Sequence, residues 1–338
     1  MSIVLDAMGS DERTAPELQA AVDAARLYKE EIILVGDEAV LKPRLALLYP
    51  DGLPISIVHA PEAVDMSDHI EDVRKKKDNT MRVGMDWVKA GKGSCFVTAG
   101  NTGMAMYYAV KTFRNIPGVI RPALTSLFPV KGGNCIVCDI GANAECKPEY
   151  LLQFAVMGSI YAEKILNIKN PRVGLLSNGE EAGNGNELVK GTYPLLLASG
   201  LNFVGNVEGK EVFNGEADVV VTDGFTGNIM LKSTEAVANL IMETLKVSLK
   251  GSFRTKIGAL LAKPAFDGVK KLIDPSEIGA APLLGVDGLV FIGHGRSDAK
   301  AMTNALRIAH QANEIHLIDA LREAVQTRLA DITRTVPA

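Results

Sequence analysis

The chain has 338 residues, of which 47% are hydrophobic, 22% charged and only 5% aromatic. That apolar content excludes global disorder. The 36 basic and 40 acidic residues give a net charge of −4, which argues against general nucleic-acid binding because that needs a strong basic field.

Met1 to Asp11 carry acids at Asp6 and Asp11 and no positive n-region, so this stretch does not read as a signal peptide. Ser2–Leu5 is the first of a series of short Val- and Ile-rich runs and ends at Asp6-Ala7-Met8-Gly9. Helical periodicity covers Ala15–Lys29. Strands are then expected at Glu31–Val35 and Ile55–Val58. Phe96–Thr98 runs into Ala99-Gly100-Asn101-Thr102-Gly103, and Ile136–Cys138 into Asp139-Ile140-Gly141-Ala142-Asn143. A helix over Pro148–Leu166 precedes the strand Arg172–Leu176, which turns at Ser177-Asn178-Gly179. A helix over Glu187–Ser199 precedes Val219–Val221, which leads into Thr222-Asp223-Gly224. The last predicted elements are a helix at Ile229–Leu249, a strand at Leu289–Ile292 ending at Gly293-His294-Gly295, and a helix at Asp298–Leu329.

Continuous apolar runs, rather than alternating ones, suit strands buried on both faces. Their alternation with helices predicts an α/β fold: a mostly parallel sheet with helices on both sides. Without a low-complexity linker or an internal repeat, residues 1–338 read as one large unit with room for two lobes. The weakly polar stretch Leu151 to Ala162 contains Gln153, Gly158 and Ser159 and is too short to span a bilayer. A soluble, cytoplasmic protein is the expectation.

The cysteines are Cys95, Cys135, Cys138 and Cys146. Cys135 and Cys138 form a C-x-x-C, but within a strand they face opposite sides. No second pair completes a zinc ribbon. All four are expected to be small hydrophobes in a reducing compartment, and no metal site is expected.

Ligands of open α/β sheets bind at the carboxyl ends of strands. The strand-end loops here are rich in glycine and short polar residues: Gly100, Asn101, Thr102 and Gly103; Gly141 and Asn143; Gly224, Thr226 and Gly227. Glycines let backbone N–H groups approach an anion, and the following helix N-termini add a favourable dipole. Together with Asp6–Gly9 and Asn178–Glu181, these loops are expected on one rim, around a phosphate or a developing oxyanion. The chain has no G-x-x-x-x-G-K-[ST], no complete G-x-G-x-x-G after a strand and no G-x-S-x-G. Asn228 and Lys232 share one helix face as an i, i+4 pair. They present either an amide and an ammonium to the rim, or a helix cap beside a solvated lysine.

These strings together resemble the phosphate acyltransferase family of bacterial phospholipid synthesis, the acyl-ACP:phosphate transferases (PlsX). The matching strings include Asp6-Ala-Met-Gly9, Ala99-Gly-Asn-Thr-Gly103, Arg121-Pro-Ala123 and Asp139-Ile-Gly-Ala-Asn143. Pro148 to Gly158, Asn206-Val-Glu-Gly209, Thr222 to Asn228 and Ala281-Pro-Leu-Leu-Gly285 continue the match in order. The resemblance implies a three-layer α/β/α fold of the isopropylmalate-dehydrogenase and phosphotransacetylase group, and a homodimer. It implies the reaction of acyl-ACP with inorganic phosphate to give acyl phosphate and ACP, without a cofactor. The product would pass to a membrane glycerol-3-phosphate acyltransferase.

The sequence departs from the family pattern at Ser10 to Thr14, at Gly279-Ala280-Ala281-Pro282 and at His294-Gly295-Arg296-Ser297. Asn184 stands where the family commonly carries a lysine. The resemblance implies catalytic roles for that position and for Asn228. Lys232 or Arg296 is a candidate to replace the lost charge. His294 is either an acid for the departing pantetheine thiolate or a structural turn residue.

Ser248 to Lys271 sets Phe253, Ile257, Leu260 and Leu261 on one helical face among lysines and an arginine. This basic amphipathic segment suits an anionic membrane or ACP, and equally a helix docked on a second copy. Rival readings are a metal-dependent decarboxylating dehydrogenase, an acyl-CoA phosphotransacylase-like enzyme and a non-catalytic scaffold of lipid synthesis.

Overall fold

The computed structural model describes residues 2–49 and 52–329. Its strands are β1 (Ser2–Asp6), β2 (Glu31–Gly36), β3 (Ile55–His59), β4 (Cys95–Thr98), β5 (Ala123–Val130), β6 (Gly133–Cys138), β7 (Val173–Leu176), β8 (Phe203–Val207), β9 (Val219–Val221), β10 (Ala280–Leu284) and β11 (Leu289–Gly293). The helices of the first half are α1 (Ala15–Tyr28), α2 (Glu38–Leu48), α3 (Ile70–Val73), α4 (Thr80–Lys89) and α5 (Thr102–Phe113). The second half adds α6 (Pro148–Ile165), α7 (Glu187–Leu197), α8 (Gly209–Asn214), α9 (Gly224–Lys250), α10 (Phe253–Leu261) and α11 (Lys263–Ile273). α12 (Ala299–Glu314) and α13 (Leu317–Ala324) follow β11. The helix expected over Asp298–Leu329 is interrupted at His316, which adopts a left-handed φ of 51°, and closes in a π turn over Val325–Leu329.

All these strands join one sheet in the order β3-β2-β1-β4-β11-β10-β5-β6-β9-β7-β8. Neighbours are parallel in both wings, and the fold is the mostly parallel α/β arrangement that the alternating pattern predicts. The centre differs: β10 is antiparallel to β11 and to β5, and β5 is antiparallel to β6. β6, β9, β7 and β8 therefore run opposite to β1, β4 and β11. The carboxyl ends of the two wings point to opposite edges of the sheet. The single rim expected from the sequence is thus two.

Apolar side chains alternate along the strands and build a core on each face. One face packs under α1, α6, α7, α12 and α13, the other under α4 and α5 with Met230 and Leu231 of α9. Cys138 belongs to the first core and Cys135 to the second, so the C-x-x-C is split across the sheet.

α9 stands away from this body, with only Gly224 and Gly227 buried. The basic amphipathic stretch forms the end of α9, α10 and most of α11, and neither short helix buries a residue. Ser252 caps α10 by accepting the Thr255 N–H, and Pro264 opens α11. Phe253 and Leu261 are both 78% exposed. Among the described residues no helix is long and apolar enough to cross a membrane.

Candidate active site

At the first edge, the side chain of Asp6 is fully buried at the end of β1. Its Oδ2 accepts the Thr98 hydroxyl at 2.8 Å, its Oδ1 accepts the Met8 N–H at 3.1 Å, and Thr98 Oγ1 accepts the Gly100 N–H at 3.0 Å. Gly9 is required here: a β-carbon would lie 2.9 Å from Gly100 N and 3.0 Å from Asp6 Oδ2. Behind this array, Glu17 of α1 is buried, with Oε1 accepting the Ser10 N–H at 3.0 Å and Oε2 without a hydrogen-bond partner among the described residues. Burial raises both the Asp6 and the Glu17 carboxyl above the usual carboxylate range.

Asn101 caps α5. It accepts the Met104 N–H at 3.1 Å and donates to the Met66 carbonyl at 3.0 Å, so its side chain is structural. The Thr102 and Gly103 N–H groups that follow have no partner among the described residues and open a 12-residue helix. They stand at the positive end of the helix dipole. His294 is exposed on the neighbouring loop, which the Asp11 N–H joins through the Gly295 carbonyl at 2.8 Å.

At the second edge, Asp139 organises everything. Its buried carboxylate accepts the N–H groups of Gly141 at 3.0 Å, Ala142 at 2.9 Å and Asn143 at 2.7 Å, with Leu124 N–H and Asn143 Nδ2 in addition. Burial pushes this carboxyl up, and the donors pull the other way. The Gly224 N–H donates to the Asn143 carbonyl at 2.7 Å, the Gly227 N–H to the Asp223 carbonyl at 3.0 Å, and the Thr226 N–H to Asp223 Oδ1 at 2.8 Å. A β-carbon at Gly224 would lie 2.9 Å from Asp139 Oδ2, and one at Gly227 would run into the Asp139 carbonyl.

Two corrections follow. The N–H groups of Gly141, Asn143, Gly224, Thr226 and Gly227, expected from the sequence to face an anion, each donate within the protein instead. Asn228 is not a helix cap, because Asp223 caps α9 and Asn228 lies inside its first turns. The Asn228 amide is partly exposed and has no hydrogen-bond partner among the described residues. Lys232, one turn on, is exposed and likewise unpaired.

Asn184 follows β7, the neighbour of β9, so it shares the edge of Asn228. Its Nδ2 donates to the Glu181 carboxylate, and Asn206 Nδ2 donates to the Glu181 carbonyl at 2.8 Å. Nearby, Glu180, Glu208 and Glu211 have the spacing of a metal cluster. Lys210 Nζ fills it, at 2.9 Å, 3.3 Å and 3.2 Å from the three carboxylates. The structure brings Asn228, Lys232, Gly141, Asn143 and Asn184 to one edge. Gly100 to Gly103 and His294 belong to the other.

The family model for "Fatty acid synthesis protein" matches residues 1–319. The chain is 47% identical to the phosphate acyltransferase of Elusimicrobium minutum over 327 residues, 96% of either chain. It is 48% identical to that of Acidobacterium capsulatum over 309 residues, 91% of this chain and 92% of that one. The chain belongs to the phosphate acyltransferase family. It is an enzyme of acyl transfer, and the fold has solved counterparts. The EutD phosphotransacetylase from Staphylococcus aureus superposes with a TM-score of 0.58 at 16% identity, covering 96% of this chain and 94% of that one. A phosphotransacetylase from Streptococcus pyogenes gives 0.58 at 17% identity, covering 97% and 94%.

In this phosphate acyltransferase the sequence reading missed Asp139 as an anchor. The signal was present: an Asp two residues before Gly141 and four before Asn143 can fold its carboxylate back onto the following N–H groups. The buried Glu17 gave no comparable signal, because a Glu in the first turn of a helix is ordinary.

Proposed function

We propose that the protein transfers a fatty acyl group from the thioester of acyl carrier protein to inorganic phosphate. A phosphate oxygen attacks the thioester carbonyl carbon, the C–S bond breaks, and acyl phosphate and the carrier thiolate result. Phosphate is already anionic at neutral pH, so no general base or covalent enzyme intermediate is needed. Catalysis then rests on holding two anionic reactants together and stabilising the tetrahedral oxyanion.

Asn228 Nδ2 is the donor for that oxyanion or for phosphate, and Lys232 supplies positive charge on the same face. The N–H groups of Thr102 and Gly103 at α5 lie on the other edge, away from Asn228, and offer an anion a place apart from this centre. A departing thiolate is a weak base and takes its proton from water. His294, on the other edge, is therefore left out of this centre. The observation that carries the reading is the unpartnered Asn228 amide beside the Asp139-anchored loop, in a chain of this family. No step requires a cofactor.

The exposed apolar residues of α9 and α10 support two surfaces. Val237, Leu240 and Ile241 of α9 suit a homodimer, and Phe253, Leu260 and Leu261 among cations suit ACP or an anionic membrane. A cytoplasmic enzyme touching the membrane there would deliver acyl phosphate to a glycerol-3-phosphate acyltransferase. The test is trapping of acyl phosphate as its hydroxamate from acyl-ACP and phosphate, with acyl-CoA as the competing donor. Product from acyl-CoA alone would replace the carrier; no product from either donor would overturn the reaction.

A further inference from the structure

A cavity of about 490 Å³ lies between α11 and the body of the protein. Its inner wall is Leu127 of β5, Ile165 at the end of α6 and Ile308 of α12; Gly268 and Leu272 of α11 form the outer wall. This volume falls within the range of small-molecule sites, which enclose an apolar body and fix it with a few polar groups. Ile165 and Ile308 belong to the core under α6 and α12, whereas Met230 and Leu231 beside Asn228 pack on the opposite core. The cavity is therefore separate from the proposed reaction centre.

Its charges are unbalanced. Asp274 and Glu277 at the mouth are both held by Lys300, at 2.8 Å and 2.7 Å. Arg307 also reaches the cavity, and among the described residues it donates to Asn304 Oδ1 at 3.1 Å and to the Glu277 carbonyl at 3.3 Å. Lys271 lines it without a partner among the described residues. Lys300, from outside the lining, pairs with both carboxylates, which leaves Lys271 and Arg307 as the cations of the lining available to an anion.

We propose that this cavity binds a single-chain amphiphile with an anionic head. The hydrocarbon chain lies against Leu127, Ile165 and Ile308, and the head sits between Lys271 and Arg307. Carboxylates and phosphate monoesters share that chemistry. The inference does not depend on the reaction proposed above.

Titration calorimetry of the full chain with decanoate, decyl phosphate and decanol tests it. Saturable one-to-one binding of either anion, about tenfold tighter than decanol, is expected from charge-assisted hydrogen bonds. The tighter anion names the head group, and equal binding of both still supports the site. A β-carbon at Gly268 meets no atom within 4 Å, so Gly268→Phe adds a ring at this wall without disturbing the backbone. Gly268→Phe should weaken both anions, and exposed Arg307→Gln and Lys271→Gln should erode the preference over decanol. No saturable binding, equal binding of decanol, or unchanged affinity in both Gly268→Phe and Arg307→Gln would overturn the proposal.

Discussion

Asn228 lies beside Gly141: a β-carbon at Gly141 would sit 3.9 Å from both Cβ and Cγ of Asn228. Gly141 has a φ of 145°, which glycine adopts without strain. The loop beneath the amide has already committed its own N–H groups to Asp139. In the reaction proposed above, a side chain is therefore the donor that the backbone there no longer can be.

Asn228→Ala should lower acyl phosphate formation by about 10²–10³, the usual cost of losing one oxyanion donor. Its melting temperature should hardly move, since the amide has no partner to lose. Hydroxamate trapping and a thermal melt check both halves; full activity would remove Asn228 from the reaction.

Asp139→Asn should destabilise the protein by about 2–3 kcal/mol, because the new amide turns donors toward N–H groups that need an acceptor. Urea unfolding measures the loss. Activity should fall with it even under folding conditions, as the loop beside Asn228 loses its anchor.

Glu17 sets a pH dependence of defined sign. Burial raises its carboxyl in the folded state, so its contribution to stability is fully present below the unfolded value of about 4.3 and is lost as pH rises through the folded value. Glu17→Gln keeps an acceptor for the Ser10 N–H and cannot ionise. It should exceed the parent by about 1–3 kcal/mol at pH 8 and lose that advantage toward pH 4. Urea midpoints at both ends decide it, and an advantage that grew toward acid would contradict the assignment.

Asn184→Lys should raise turnover by about tenfold, through an ammonium placed on the edge that carries Asn228. Steady-state rates at varied phosphate check this. An unchanged rate would mean that Lys232 already supplies the needed charge.

The wings of the sheet were legible because continuous apolar strands such as Val219–Val221 announce burial on both faces. The centre was not. β10 carries Pro282 and β5 carries Pro129, residues that argue against a strand, so the reversal they create stayed hidden. β8 was missed because Gly205 and Asn206 break its apolar run. At the site, glycine and short polar residues marked the right loops. Whether an N–H faces a ligand or its own chain depends on where a carboxylate such as Asp139 folds back, which composition does not encode.

The four native thiols leave the surface free for chemical labelling. Burial raises Cys138 and pushes Cys95, Cys135 and the half-buried Cys146 up to about 12, so each stays protonated at neutral pH. Maleimide dyes should pass them by. A cysteine introduced at an exposed position such as Lys256 can then report on α10 by fluorescence in an otherwise unaltered chain.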